Sequence, residues 1–258
     1  MTSKANGIKD KLMAGKKVLG SWCSIPSTGL VEIIAHSGLD FIVLDAEHGP
    51  LGMETAQDMA RVAEGCGLVP LVRVPTNEDH VILRALDIGA HGVHIPHVAT
   101  SGDAQRAVKY SKYHPLGERG YSPFTRAGSY GLRAPTHAEE ANKNTMVVVH
   151  IEGVEGIRNL KDIVKVKGLD VVFIGPYDLS QSLGKPGQTK DEEVVRLVRS
   201  SAKLIQDAGL VYGSFAGDKE YFDILCESGA RYLTYMLDTT IVLNAYRDII
   251  KDLRRRAL

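Results

Sequence analysis

The sequence predicts one (β/α)₈ barrel of the TIM type, an α/β fold occupying residues 1–258 as a single domain. Three observations carry the expectation. Eight short apolar runs rich in β-branched residues recur along the chain, as suits parallel strands covered on both faces. Stretches with helical periodicity lie between them. No linker or low-complexity segment divides the 258 residues, a length that fits one such barrel.

The strands are predicted at residues 18–24, 41–45, 69–74, 92–96, 146–152, 171–175, 211–215 and 232–236. Leu30, Ile33 and Ile34 mark the helix after the first strand. Val194, Val195, Leu197, Val198, Ala202, Leu204 and Ile205 mark a longer one before the seventh. Small turns lead from helix to strand at Ser37-Gly38, Gly65-Cys66-Gly67, Ile88-Gly89, Ala208-Gly209 and Ser228-Gly229, where glycine takes the left-handed cap conformation cheaply. A final helix near 239–255 completes the count. Its apolar stripe of Ile241, Leu243, Tyr246, Ile249, Ile250 and Leu253 would pack either on its own barrel or on a neighbour. One connection, near 113–137, is too long and aperiodic for a simple turn. Arg119, Arg126 and Arg133 within it suggest a substrate lid or a subunit contact.

Bulk properties exclude more than they assign. Lys+Arg and Asp+Glu balance at 31 each, so nothing favours nucleic acid or an acidic membrane surface. No run is long and apolar enough to span a membrane, and no signal-peptide pattern opens the chain. Cys23, Cys66 and Cys226 are far apart and lack metal-ligand spacing, which suggests a reducing, cytoplasmic location.

In such barrels the active site forms at the carboxyl ends of the strands, and that rule sorts the polar residues. Strand two ends in Asp45, Glu47 and His48, strand three in Arg73, and strand five in His150 and Glu152, which share a face. Strand six leads to Asp178. A carboxylate where a buried strand meets its loop is costly without a cation or several donors. Glu152 and Asp178 on successive strands therefore suggest oxygen ligands for a hard divalent ion, Mg²⁺ or Mn²⁺, with Co²⁺ a further option. The alternative is that both are N-caps of the following helices, a role in which Asp is common and Glu is not.

Two carboxylates leave room for water and a bidentate 2-oxo acid, whose ketone a metal would polarise. Arg73 can hydrogen-bond the oxygen that becomes an enolate, and His48 can move a proton near neutral pH. Imine chemistry would need a desolvated lysine facing the barrel interior, and no lysine lies within the eight predicted strands. Lys185 falls in a loop.

The chain resembles the metal-dependent pyruvate aldolases of the HpcH/HpaI group, relatives of the citrate lyase β-subunit and of the pyruvate/phosphoenolpyruvate barrels. The resemblance is carried by Gly-Ser-Trp-Cys-Ser-Ile-Pro-Ser at 20–27, Asp-Phe-Ile-Val-Leu-Asp-Ala-Glu-His-Gly at 40–49 and Pro-Leu-Val-Arg-Val-Pro at 70–75. It continues through Arg-Ala-Leu-Asp-Ile-Gly-Ala-His-Gly-Val at 84–93, Gly-Glu-Arg-Gly at 117–120 and Phe-Ile-Gly-Pro-Tyr-Asp-Leu-Ser at 173–180. It implies a class II aldolase that cleaves a 4-hydroxy-2-oxo acid to pyruvate and an aldehyde. Glu152 and Asp178 would be the metal ligands, Arg73 the enolate clamp and His48 the proton-transfer residue. Asp45 and Asp87 would support that histidine across a subunit contact. Trp22, Arg73, His150, Gly175, Pro176 and Tyr177 would contact the substrate, and the protein would be a homo-oligomer, a trimer or hexamer.

Two departures stand out. His150 replaces a Gln common in the group, and Lys112-Tyr113-His114-Pro115 replaces a more usual Arg-Tyr-Pro-Pro. The competing readings are a citramalyl- or malyl-CoA-type lyase, which would need a basic groove, and a non-catalytic 2-oxo-acid-binding barrel. His91, His94 and His97 read as structural or surface histidines, with His94 facing opposite to the other two and only His97 placed to line the mouth.

Overall fold

The computed structural model describes residues 6–257. Eight parallel strands close on themselves in the order β1 to β8. They are β1 (Val18–Cys23), β2 (Phe41–Asp45), β3 (Val69–Arg73), β4 (Gly92–Ile95), β5 (Met146–Ile151), β6 (Val171–Ile174), β7 (Val211–Ala216) and β8 (Tyr232–Leu237). Each falls within two residues of the run that predicts it. Helix α1 (Asn6–Met13) precedes the barrel. Around it follow α2 (Thr28–Ala35), α3 (Met53–Gly65), α4 (Asp79–Asp87), α5 (Ser101–Ser111), α6 (His137–Asn144), α7 (Val154–Ile163), α8 (Pro176–Ser182), α9 (Glu192–Asp207), α10 (Lys219–Glu227) and α11 (Asp238–Ala257).

Strand parity divides the apolar residues between two cores. One set, including Ile42, Leu44, Val72, Val93, Val149, Ile151, Val172 and Ile174, faces the helices. The other, including Phe41, Val43, Val69, Leu71, Met146, Val148, Val171 and Phe173, fills the barrel, and Ile8 and Leu12 of α1 join it as a plug at the amino-terminal end. Along β2, β3 and β5 the inward series is apolar first and polar last: Phe41, Val43, Asp45; Val69, Leu71, Arg73; Met146, Val148, His150. The sequence thus builds a dry floor and a polar mouth from one alternation.

The glycine turns lie as expected, with Gly38, Gly67, Gly89, Gly209 and Gly229 all in the left-handed region. In α2 the inner face is Val31 with Ile34 and Ala35, three and four residues apart, so Ile33 points outward. The stripe of α11 is not covered by its own barrel: Ile241, Leu243, Tyr246, Ile249, Ile250 and Leu253 are all exposed.

The long connection corrects one expectation. It joins the end of α5 to the start of β5, so it lies at the amino-terminal face, opposite the mouth, and cannot be a lid over its own chain's site. Its arginines are engaged there. Arg119 donates to Asp87 at 2.6 Å and stacks 4.6 Å over Tyr113, Arg126 pairs with Glu64, and Arg133 pairs with Glu140. No helix among the described residues is long and apolar enough to cross a membrane.

Candidate active site

The inward, carboxyl-terminal residues of β2, β3 and β5 converge as the sequence predicts. Asp45 is fully buried and receives Arg73 through two parallel hydrogen bonds, Nε to Oδ1 at 2.9 Å and Nη2 to Oδ2 at 2.6 Å. The same carboxylate accepts the backbone N–H groups of Glu47 and His48, at 3.1 and 3.2 Å, which shapes the turn leaving β2. Burial would raise its pKa, but the Arg73 hydrogen bonds and charge hold it below the usual carboxylate range. Arg73 lies 4.3 Å over the Trp22 ring, and its Nη1 stands 3.1 Å from Glu47 Oε2. Trp22 is tied down through Nε1 to Thr234 at 2.9 Å. A guanidinium held on one edge and one face keeps its remaining N–H donors directed in a fixed fork.

Asp45 therefore supports His48 through the main chain, not through the imidazole, because both its oxygens are taken by Arg73. The His48 ring is exposed, with Nε2 3.9 Å from Glu47 Oε2. Asp87 does not reach this mouth in its own chain. It ends α4, which descends from the carboxyl end of β3, so it sits at the opposite face beside Arg119.

Glu152 follows β5, and Asp178 lies in the first turn of α8 after β6. Neither is an N-cap, because Gly153 caps α7 and Gly175 caps α8. Gly175 is required there: a Cβ would stand 2.8 Å from Glu152 Cγ. Glu152 is buried and doubly held. Oε1 lies 3.1 Å from His150 Nδ1, while Oε2 accepts the backbone N–H of His97 at 2.9 Å and lies 3.0 Å from its Nδ1. Burial raises its pKa, yet these donors and the nearby imidazoles bring it down to about 2. Asp178, by contrast, is exposed.

Three residues that the sequence places only roughly acquire specific contacts here. His97 adopts a left-handed backbone, φ 54°, just past Pro96, and its ring turns back between two carboxylates, 3.2 Å from Glu47 Oε1 as well as 3.0 Å from Glu152. It shares no face with His91, which lies before β4 and contacts Glu64 at 3.2 Å. His94, far from surface-like, is fully buried inside the barrel, 2.8 Å from His150 and 2.7 Å from the Tyr232 hydroxyl. Burial, followed by the charges of His150 and Arg73, pushes its pKa well down, so the ring is neutral. Glu47 is the third: burial and repulsion from Glu152 raise its pKa against the pull of Arg73, whose Nη1 is the charged group nearest its Oε2. The one signal for His97 was its position immediately after a strand-ending Pro.

Among the described residues no three His, Cys, Asp or Glu side chains stand together as a metal cage. Glu152 and Asp178 supply carboxylate oxygens of the kind a hard divalent ion takes, with water and substrate oxygens left to fill the remaining positions. Glu47, whose Oε2 pairs with the Arg73 guanidinium at 3.1 Å, adds a further carboxylate at the same mouth.

The chain matches the HpcH/HpaI aldolase/citrate lyase family over residues 19–245. It belongs to that family. It is 32% identical over 250 residues to the hydroxypyruvate/pyruvate aldolase of Roseobacter denitrificans, covering 96% of this chain and 97% of that one. The 4-hydroxy-2-oxo-heptane-1,7-dioate aldolase of Shigella flexneri is 31% identical, over 93% of this chain and 90% of the other. Among solved structures, an HpcH/HpaI aldolase/citrate lyase family protein from Burkholderia cenocepacia superposes with a TM-score of 0.92 at 31% identity, covering 96% and 99% of the two chains. The citrate synthase SbnG superposes with a TM-score of 0.88 at 32% identity, covering 97% and 98%.

Proposed function

We propose that this family member is a class II aldolase, cleaving a 4-hydroxy-2-oxo acid reversibly into pyruvate, or a similar 2-oxo acid, and an aldehyde. The observation that carries this reading is the meeting of a clamped guanidinium with an ionised, buried carboxylate at one barrel mouth. Family membership supports the reaction class, and relatives named as aldolases supply the substrate class.

Glu152 and Asp178 would hold a divalent ion, Mg²⁺ or Mn²⁺, which when bound polarises the ketone of the 2-oxo acid. Arg73 meets the same oxygen as negative charge develops there. Its orientation is set in advance by Asp45 and Trp22, so little reorganisation is needed during reaction. His48, exposed at the rim, is free to exchange a proton with the aldehyde-forming hydroxyl directly or through a water. Tyr177 and the backbone of Gly175 and Pro176 border the substrate carboxylate.

Self-association is part of the proposal. The uncovered stripe of α11 and the exposed Phe124, Tyr130 and Leu132 of the long connection are surfaces for a second copy, which would bring Asp87 to a neighbour's mouth. A trimer or hexamer would achieve this.

The test is pyruvate release from a panel of short 4-hydroxy-2-oxo acids after chelation, with Mg²⁺, Mn²⁺ or Co²⁺ restored in turn. Metal-restored turnover is expected. Full turnover in protein shown metal-free by elemental analysis removes the metal mechanism, and pyruvate binding without any turnover replaces the enzyme with a binding barrel. An active monomer by sedimentation at micromolar concentration removes the oligomer.

A further inference from the structure

Behind Glu152 the barrel interior contains a line of polar groups, and the proposed chemistry gives no role to its two deepest members, Tyr232 and His94. Tyr232 OH lies 2.7 Å from His94 Nε2, His94 Nδ1 lies 2.8 Å from His150 Nε2, and His150 Nδ1 lies 3.1 Å from Glu152 Oε1. Tyr232 and His94 are fully buried and His150 is nearly so. With a single proton on each imidazole, four groups in series would permit one satisfied arrangement. An ionised carboxylate only accepts, so His150 carries its proton on Nδ1. Its Nε2 then accepts, so His94 also carries its proton on Nδ1, and His94 Nε2 accepts from the tyrosine hydroxyl. Each group gives one hydrogen bond toward the mouth.

The far end of this line decides what it can do. A proton shuttle needs an exit to solvent or to a second reacting group. Tyr232 has neither: its ring is stacked against Phe41 at 4.4 Å within the apolar floor. Aromatic packing also fixes the imidazoles, with His150 stacked on Phe173 at 4.7 Å and Trp22 standing edge-on to His94 and His150 at 5.4 and 5.9 Å. The line is a closed, oriented strut.

We propose that Tyr232 and His94 are positioning residues: acting through His150, they impose one hydrogen-bond direction that holds Glu152 Oε1 inward and so fixes the orientation of the carboxylate for a divalent cation. This rests on the reading of Glu152 as a cation ligand. Groups that orient a metal-binding carboxylate alter metal affinity without touching the metal. A Gln in place of His150 can donate to Glu152 without a fixed tautomer, whereas an imidazole must be told which nitrogen carries the proton. In this chain His94 supplies that information.

The experiment uses Mn²⁺ as the probe, with binding read from the electron paramagnetic resonance of the free ion, on full-length wild type and variants. His94→Leu is expected to weaken Mn²⁺ binding about 10- to 100-fold. His94→Asn, whose amide nitrogen replaces Nδ1, should recover most of that loss. Tyr232→Phe, which removes one hydroxyl donor, should cost about 5-fold. Magic-angle-spinning spectra of ¹⁵N-histidine-labelled protein should show His94 and His150 both protonated on Nδ1 alone. An Nε2-protonated His94 or a doubly protonated His150 overturns the assigned direction. A folded His94→Leu protein that binds Mn²⁺ as wild type does overturns the proposal, and so does wild-type behaviour of Tyr232→Phe in both measurements if His94→Leu fails to fold. Wild-type protein that binds no Mn²⁺, or unchanged binding by Glu152→Gln, overturns the ligand reading of Glu152 and with it the role given to the strut.

Discussion

The mouth of this barrel has a strand-borne half and a loop-borne half, and they differ in how far their interactions are already satisfied. Asp45, Arg73, His94 and His150 project inward from β2 to β5, with Glu152 just beyond, each held by partners of fixed geometry. His48, Tyr177 and Asp178 stand on the following loops and first helical turn, exposed to solvent. The first half is preorganised by folding itself, and the second is left open to solvent. Changes in the first should therefore cost stability and activity together, whereas changes in the second should cost activity alone.

The largest test pairs the two carboxylates. Glu152→Gln and Asp178→Asn are each expected to abolish metal-stimulated turnover. Only Glu152→Gln should also lower folding stability, by about 1–3 kcal/mol, because it disturbs a buried acceptor that meets several donors. Denaturant unfolding of both variants checks this. Equal stability losses would show that Asp178 is as firmly built in as Glu152.

Arg73→Lys comes next, with an expected loss on the order of 10²-fold in kcat, comparable to losing one oxyanion donor. An ammonium cannot keep both hydrogen bonds to Asp45 and the stacking on Trp22 while still reaching substrate. Near-normal kcat in this variant would make Arg73 a structural salt bridge only.

The smallest effect lies away from the mouth, on Glu64 at the end of α3. A hydrogen bond to His91, opposed by burial and aided by the charges of His91 and Arg126, lowers its pKa from the ordinary 4.5 to about 2. A carboxyl depressed on folding contributes stability that is present above its unfolded pKa and is lost as pH falls through the folded value. Melting temperature should thus decline as pH drops from about 4.5 toward 2, and Glu64→Gln should flatten that limb without changing turnover. An altered kcat in this variant would tie the outer layer to the mouth.

Much of this molecule is readable from the chain. Short apolar runs rich in β-branched residues mark the eight strands, and parity within a strand places Asp45, Arg73 and His150 on the inner face, because successive side chains must point to opposite sides. The carboxyl-end rule then gathers them at one mouth. The same rule, applied to helix direction, puts Asp87 and the 113–137 connection at the other face. The sequence contains that consequence, which removes the lid and leaves the subunit contact of the two roles its arginines suggest. Three things required the tertiary structure. The turn of His97 back between Glu47 and Glu152 depends on one residue's left-handed backbone after Pro96, which no periodicity reports. The choice of Arg73, over the His48 ring, as the partner of Asp45 depends on strand register, β2 against β3, with Asp45 opposite Arg73. The line from Tyr232 to Glu152 joins β8, β4 and β5, strands 138 and 56 residues apart at its successive contacts. Local sequence sets which way each of these side chains points, but only closure of the barrel brings them within hydrogen-bonding distance.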